Sequence, residues 1–394
     1  MRSALRTRQV YGALIAAIAV GTVIGMVALW PRGEAPRLEF IEGTAPSETF
    51  SAEVAQITPY TCSLVPDGEC REAILRLNSG PDDGQSFEVD ASFGASALEY
   101  EAGDSVRVIR IPPPSGSTDA NVAPYAVVDF ERKPQLLWLV LAFAALVIVF
   151  ARVRGFLSLL GLGISLAIVL LFVVPAILRD SPPLAVALVG SMAVMLTTIP
   201  LAHGLGPKSL AAIAGTAFSL LIVVALAILL TDTAHLTGVA SEEAATLAAN
   251  NEAISFQGLL IAGMVIGSLG VLDDVTISQS STVMALRGAN PELGFGELFR
   301  RAIQVGRDHV SATVNTLVLA YVGSSLTVLL VFASGELGLL EAVNLEVIAA
   351  VIVATLVGSI GLICAVPITT ALAALLAEDV PADELLAAAD DHAH

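Results

Sequence analysis

The sequence predicts a polytopic α-helical membrane protein with a small β-rich domain held outside the membrane between its first and second helices. Three observations lead there. Of 394 residues, 55% are hydrophobic and only 14% are charged, against about 25% charged in a typical soluble domain; mean hydropathy is +0.80. The apolar residues gather into runs near the roughly 20 residues that cross a hydrocarbon core. One long stretch, residues 31–133, breaks that pattern and alternates instead.

Eight apolar runs qualify as spans: 10–30, 135–151, 156–178, 184–203, 209–231, 255–273 or beyond, 311–333, and 346–366 or beyond. Basic residues orient them. Arg2, Arg6 and Arg8 precede the first span, Arg152 and Arg154 follow the second, and Lys208 follows the fourth. Arg287, Arg300, Arg301 and Arg307 separate the sixth from the seventh. Lys and Arg favour cytoplasmic loops, and with eight crossings every cluster falls on one side. Both termini are therefore expected in the cytoplasm and residues 31–133 outside. Residues 1–30 read as a retained signal anchor. The apolar run is longer than the 7–15 residues of a secretory signal, and the following "WPRGEAP" has no clear small-x-small cleavage site.

Residues 31–133 carry 18 acids against eight bases, a net charge of −10 and more than half of the chain's −18. Such a surface keeps a domain soluble and argues against nucleic acid, which needs basic surface. "FSAEVAQI", "REAILRLN", "QSFEVDASF", "DSVRVIRI" and "YAVVDFE" alternate as strands do, with turn-rich stretches between some of them. Five short strands suggest a small barrel, OB-like, with a β-sandwich as the alternative. Cys62 and Cys70 flank a Pro-Asp-Gly turn in "YTCSLVPDGEC". In an oxidising compartment they read as a disulfide rather than a metal site, which would want more ligands. Cys364 is alone in an apolar span and reads as packing.

The membrane domain, 134–377, holds two polar stretches. The first is "GVLDDVTISQSSTVMALR", Gly270 to Arg287. As one helix, 255–286 would be about 48 Å long. Such a helix must project into the cytoplasm, tilt, or break near Gly267–Gly270 or the acid pair, as interrupted transporter helices do. Helical spacing sets Asp274 on a stripe with Gly263, Gly267, Gly270, Ser278 and Ser281. Small residues let membrane helices approach closely, so this stripe is expected to be buried, carrying Asp274 inward. Asp273 falls near the face of Thr276 and Ser280. The bland alternative is a solvated helix end. Against it, a carboxylate in hydrocarbon costs at least about 2.5–3.5 kcal/mol.

The second is "GRDHVSATVNTLVLAYVGSSL", Gly306 to Leu326. Asn315 lies about 9 Å beyond His309, with Thr316 next to it. Thr313, Thr316, Ala320, Gly323 and Thr327 form a further small-residue stripe. Asn315 and Thr316 are expected either to join Asp274 in a polar site or to act as helix–helix glue. Asp308 and His309 offer a proton relay; a solvated or paired imidazole is the simpler reading.

These two stretches, "GSLGVLDDVTISQSS" and "GRDHVSATVNTLVLAYVGSSL", resemble the YibE/F-like family of bacterial membrane proteins. The resemblance extends from about residue 50 to 377. Its "LDD" form implies actinobacterial relatives and a bacterial cytoplasmic membrane location. Other members carry a Met-Asp pair there, so Asp274 matches the family's acid and Asp273 its variable neighbour. Family members are labelled permeases without a firm substrate.

A multi-span transporter or permease is the leading expectation, with an unknown small molecule or ion as cargo. No Walker P-loop is present, so coupling would be to protons or another ion. Asp274 would bind the ion, with Asp273, Ser278, Ser281, Asn315 and Thr316 around it. The alternative is a non-transporting scaffold, sensor or envelope-biogenesis factor whose external domain binds a protein partner. A homo-oligomer fits either. An intramembrane aspartyl protease fits poorly, because adjacent acids on one helix cannot face each other across a peptide. No enzyme activity, cofactor or metal is expected. Residues 378–394 read as an acidic cytoplasmic tail, and His392 and His394 are too few for a metal site.

Overall fold

The computed structural model describes residues 2–33, 48–61, 69–90, 99–111, 125–250, 254–335, 338–378 and 380. Two compact units make up the chain: 40–149 on one side, and 1–39 with 150–394 on the other.

In the first unit all five expected strands form: β1 (Thr49–Thr61), β2 (Glu69–Leu77), β3 (Ser86–Asp90), β4 (Ser105–Arg110) and β5 (Tyr125–Phe130). They pair antiparallel in the order β3-β2-β1-β4-β5. Alternation decides the core. Ala52, Val54, Ala73, Leu75, Val106 and Val108 are fully buried on one face, while charged neighbours such as Glu53 and Glu72 point out. The β2–β3 turn passes through Gly80 at φ 102°, where a Cβ would also strike the Phe50 ring. The expected OB-like barrel is not supported, since the sheet is small and open. Among the described residues, edge strands β3 and β5 meet only through side chains. The Phe87 and Tyr125 rings lie 5.0 Å apart, and Tyr125 donates to Asp82 near the end of the β2–β3 turn at 2.6 Å. A barrel needs a hydrogen-bonded ladder there. Cys62 lies outside the described residues, so the Cys62–Cys70 disulfide remains an expectation from sequence.

The second unit is helical. Its elements are α1 (Arg2–Leu29), α2 (Lys133–Ile168, shared with the first unit), a π turn (Val169–Val173), α3 (Val174–Leu178), α4 (Pro183–His203), α5 (Pro207–Thr233), α6 (Glu242–Asn250), α7 (Phe256–Ala289), α8 (Phe295–Ser324), α9 (Leu326–Ser334), α10 (Leu339–Val343) and α11 (Glu346–Ala377). Among the described residues, six helical runs are long and apolar enough to cross a membrane; a seventh arises if α8 and α9, bent by 60°, count as one. The chain is a polytopic membrane protein. The count falls short of eight because 135–151 and 156–178 lie in one 46-residue run, Lys133–Leu178. At about 69 Å that run exceeds twice the thickness of a hydrocarbon core. It leaves helical geometry once, at Arg152 (φ 51°, ψ −130°), between the two expected spans.

Helices α5, α7 and α11 pack on one another most extensively, with α4 and α8 against α7. Close approach is supplied by glycines of neighbouring helices. A Cβ on Gly215 would strike Thr369, one on Gly361 would strike Val223, and one on Gly306 would strike Val366 and Gln279. No water inside a membrane can rescue a stray polar group, so buried hydroxyls bond back to their own helices. Examples are Ser268 to Met264 O and Thr370 to Val366 O.

Candidate functional site

Helix α7 runs unbroken from Phe256 to Ala289, about 51 Å, so the expected alternatives narrow to projection or tilt. Its packing also reverses an expectation. The stripe of Gly263, Gly267, Gly270, Asp274 and Ser278 is exposed, and Ser281 is half-buried. The buried face is the opposite one, carrying Val265, Leu272, Val275, Thr276, Gln279 and Ser280. Small residues permit close approach but do not choose the neighbour; here α8 and α11 bring glycines to the buried face of α7, Gly306 against Gln279 and Gly358 against Ser268.

Asp273 therefore takes the inward position. It is half-buried; its Oδ2 accepts a 3.3 Å hydrogen bond from the Thr198 hydroxyl on α4, and its Oδ1 is buried with no partner among the described residues. Behind it the Thr216 and Thr276 hydroxyls share a 2.6 Å hydrogen bond between α5 and α7. One turn on, Ser280 donates to the Lys208 carbonyl at 2.7 Å. Gln279 is 4% exposed, and its Nε2 donates to Ala302 O at 2.8 Å and to the Thr370 hydroxyl at 2.7 Å. That side chain ties α7 to α8 and α11. Sequence reasoning passed over Thr198, Thr216 and Gln279. Only Gln279 had a visible signal, its place inside the hydroxyl run.

Other expected residues are dispersed. Asp274 is exposed on the outward stripe, between the Thr198 side of α7 and the side where Tyr321 of α8 lies over Gly267. Asn315 and Thr316 are exposed on α8, and Thr316 bonds back to Ala312 O. No interaction joins either to an acid of α7 among the described residues. The backbone carbonyl of His309 accepts from Thr313, and the imidazole Nε2 is buried without a partner among the described residues. Asp308 is exposed. Thr313 is half-buried, while Ala320 and Gly323 of its stripe are exposed. Among the described residues no three His, Cys, Asp or Glu side chains converge as metal ligands.

Depth follows from the contacts. Ser280 is level with Lys208, the basic residue in the first turn of α5, and Asp273 is seven residues back along α7. The acid pair thus lies about 10 Å along the helix from Lys208.

No curated protein and no solved structure matches the chain. The family model described as YibE/F-like protein matches residues 139–379. The five strands lie outside that range, so the family match concerns the helical part and not, as the sequence reading had it, residues from about 50 onward. With more than half its length matched, the chain belongs to the YibE/F-like family.

Proposed function

We propose that the protein is a permease coupled to protons or another ion, with the Asp273–Asp274 pair as its ion-binding group. The observation that carries this is Asp273: a half-buried carboxylate with an unpartnered Oδ1, about 10 Å from the level of Lys208. Taking Lys208 as marking the cytoplasmic interface, the acid sits about a third of the way into a core of about 30 Å. An acid held there at a cost of at least about 2.5–3.5 kcal/mol points to function. Thr198 supports its Oδ2. Asp274, Ser278 and Ser281 line the open side, and His309 with Asp308 offers a relay toward the cytoplasm. Asn315 and Thr316 join only if another surface brings them together with the acids. The protein lies in the cytoplasmic membrane with residues 31–133 outside and both termini inside. A scaffold or biogenesis factor, with the external unit binding a partner, is the second reading.

Proteoliposomes loaded with a pH-sensitive dye test the first reading under an imposed membrane potential. Asp273→Asn is expected to abolish protein-dependent proton movement, and Asp274→Asn to reduce it. Wild-type flux equal to empty vesicles would leave the scaffold reading. Loss with Asp274→Asn alone would return the titrating role to the outward stripe.

A further inference from the structure

Helix α8 carries a second pattern that the acid pair does not use. Asp308, Ser311, Asn315, Val318 and Val322 recur at spacings of 3, 4, 3 and 4. All five are exposed, Val318 by 38% and Val322 by 43%. This is the spacing of a coiled-coil seam, with Asp308, Asn315 and Val322 at one core position and Ser311 and Val318 at the other. The opposite side of α8 is engaged along its length. Gly306 abuts Gln279 and Val366, Leu317 lies against Gly358, and Tyr321 lies over Gly267. The helix therefore stands upright beside α7 and α11, with its polar row turned away from its own bundle. Asn315 is nine residues, about 14 Å, beyond the level of Gln279. Among the described residues, the side chains of Arg307, Asp308, Ser311 and Asn315 have no hydrogen-bond or ion-pair partner. Hydrocarbon cannot supply one to Ser311 or Asn315, whereas Arg307 and Asp308 lie near the level of Lys208, within reach of water and headgroups.

We infer that this face is closed by the same face of a second copy, with two α8 helices parallel across a two-fold axis along the membrane normal. A two-fold contact sets each residue at the depth of its own counterpart. The face must then pair with itself, and it can. An amide and a hydroxyl each donate and accept, so Asn315 bonds the partner subunit's Asn315 and Ser311 the partner subunit's Ser311. Asp308 would repel its counterpart, but Arg307, one residue away and flanking the seam, supplies the opposite charge. A single Asn at a core position is also what fixes register and two-strandedness in parallel coiled coils. The inference does not depend on transport.

The test uses the full chain with Cys364→Ser. Single-molecule photobleaching in bilayers should show two-step bleaching for the fluorescently tagged wild type. Oxidative cross-linking in native membranes should yield dimers for Asn315→Cys and Val322→Cys, and none for Ala320→Cys, which is exposed off the seam. Asn315→Val should raise the dimer dissociation constant about 3- to 20-fold. Arg307→Asp should weaken the dimer, and Arg307→Asp with Asp308→Arg should restore it. One-step bleaching of the wild type overturns the inference, as does equal cross-linking at 315 and 320. So does a monomer whose Asn315→Cys thiol reacts with a membrane-impermeant maleimide, since that face would then line water.

Discussion

Substituting Gly306 by alanine probes the reversed packing of α7 most directly. A Cβ at Gly306 would stand 2.6 Å from Val366 Cγ1 and 2.8 Å from Gln279 Oε1, both closer than real Cβ contacts allow. Neither neighbour yields easily. Valine in a helix has one strongly preferred rotamer, and Gln279 is pinned by two donated hydrogen bonds of 2.8 and 2.7 Å. Alanine would gain up to about 1 kcal/mol of helix propensity over glycine. Overpacking costs typically about 1–3 kcal/mol, so the net change is destabilising by up to roughly 2–3 kcal/mol. The unfolding entropy of a 394-residue chain corresponds to about 1 °C per kcal/mol, so the midpoint should fall by up to about 2–4 °C. The internal controls are Gly263→Ala and Gly270→Ala, where a Cβ would meet nothing within 4 Å; these should match wild type or exceed it. Thermal melts of detergent-solubilised fusions, followed by size-exclusion fluorescence, provide the measurement. Equal losses at 263, 270 and 306 would refute the reasoning and restore the buried stripe. An unaffected Gly306→Ala would refute the tight junction of α7, α8 and α11.

Two further outcomes concern the external unit. Glu131 is pushed upward by burial, but the Lys133 N–H and ammonium and the Arg107 guanidinium, 3.1 Å away, outweigh that and hold its carboxyl below the ordinary 4.5. A depressed folded pKa contributes stability that is present above the unfolded value and lost as pH falls through the folded one. Protection of β4 and β5 in hydrogen exchange, corrected for intrinsic rates, should therefore drop in a pH window below about 4.5, and Arg107→Gln should make that drop smaller. A drop of unchanged size in Arg107→Gln would dismiss the ion pair as a cause. Peptide mapping of unreduced protein should recover residues 62 and 70 in one linked peptide, a bridge contributing about 2–3 kcal/mol in the chain-entropy model; two free thiols would dismiss it.

Local pattern and tertiary arrangement contributed differently to what could be read in advance. All five strands were legible, because alternation has a period of two wherever one face of a sheet is buried. Whether the sheet closes was not, since closure depends on the separation of β3 and β5, strands some 35 residues apart. The helical runs were legible from length and hydropathy, and so was the break between the second and third spans, marked by Arg152 and Arg154; what only the structure shows is that the break is a single non-helical residue, Arg152.

For the candidate site, sequence alone determined that two acids sit within a long apolar helix and that they point in different directions. Both follow from residue identity and the 100° step between helical neighbours. It could not determine which acid turns inward. That choice depends on which neighbours surround α7, and those lie up to about 90 residues away in the chain, in Thr198, Thr216 and Thr370. The stripe of Gly263, Gly267 and Gly270 looked like the contact face because small residues permit approach. In the folded chain the approach to α7 is made instead by Gly306 of α8 and Gly358 of α11, against Gln279 and Ser268, while Gly215 and Gly361 bring α5 and α11 together. Asp273 goes inward with the buried face of α7, and Asp274 is left on the open side.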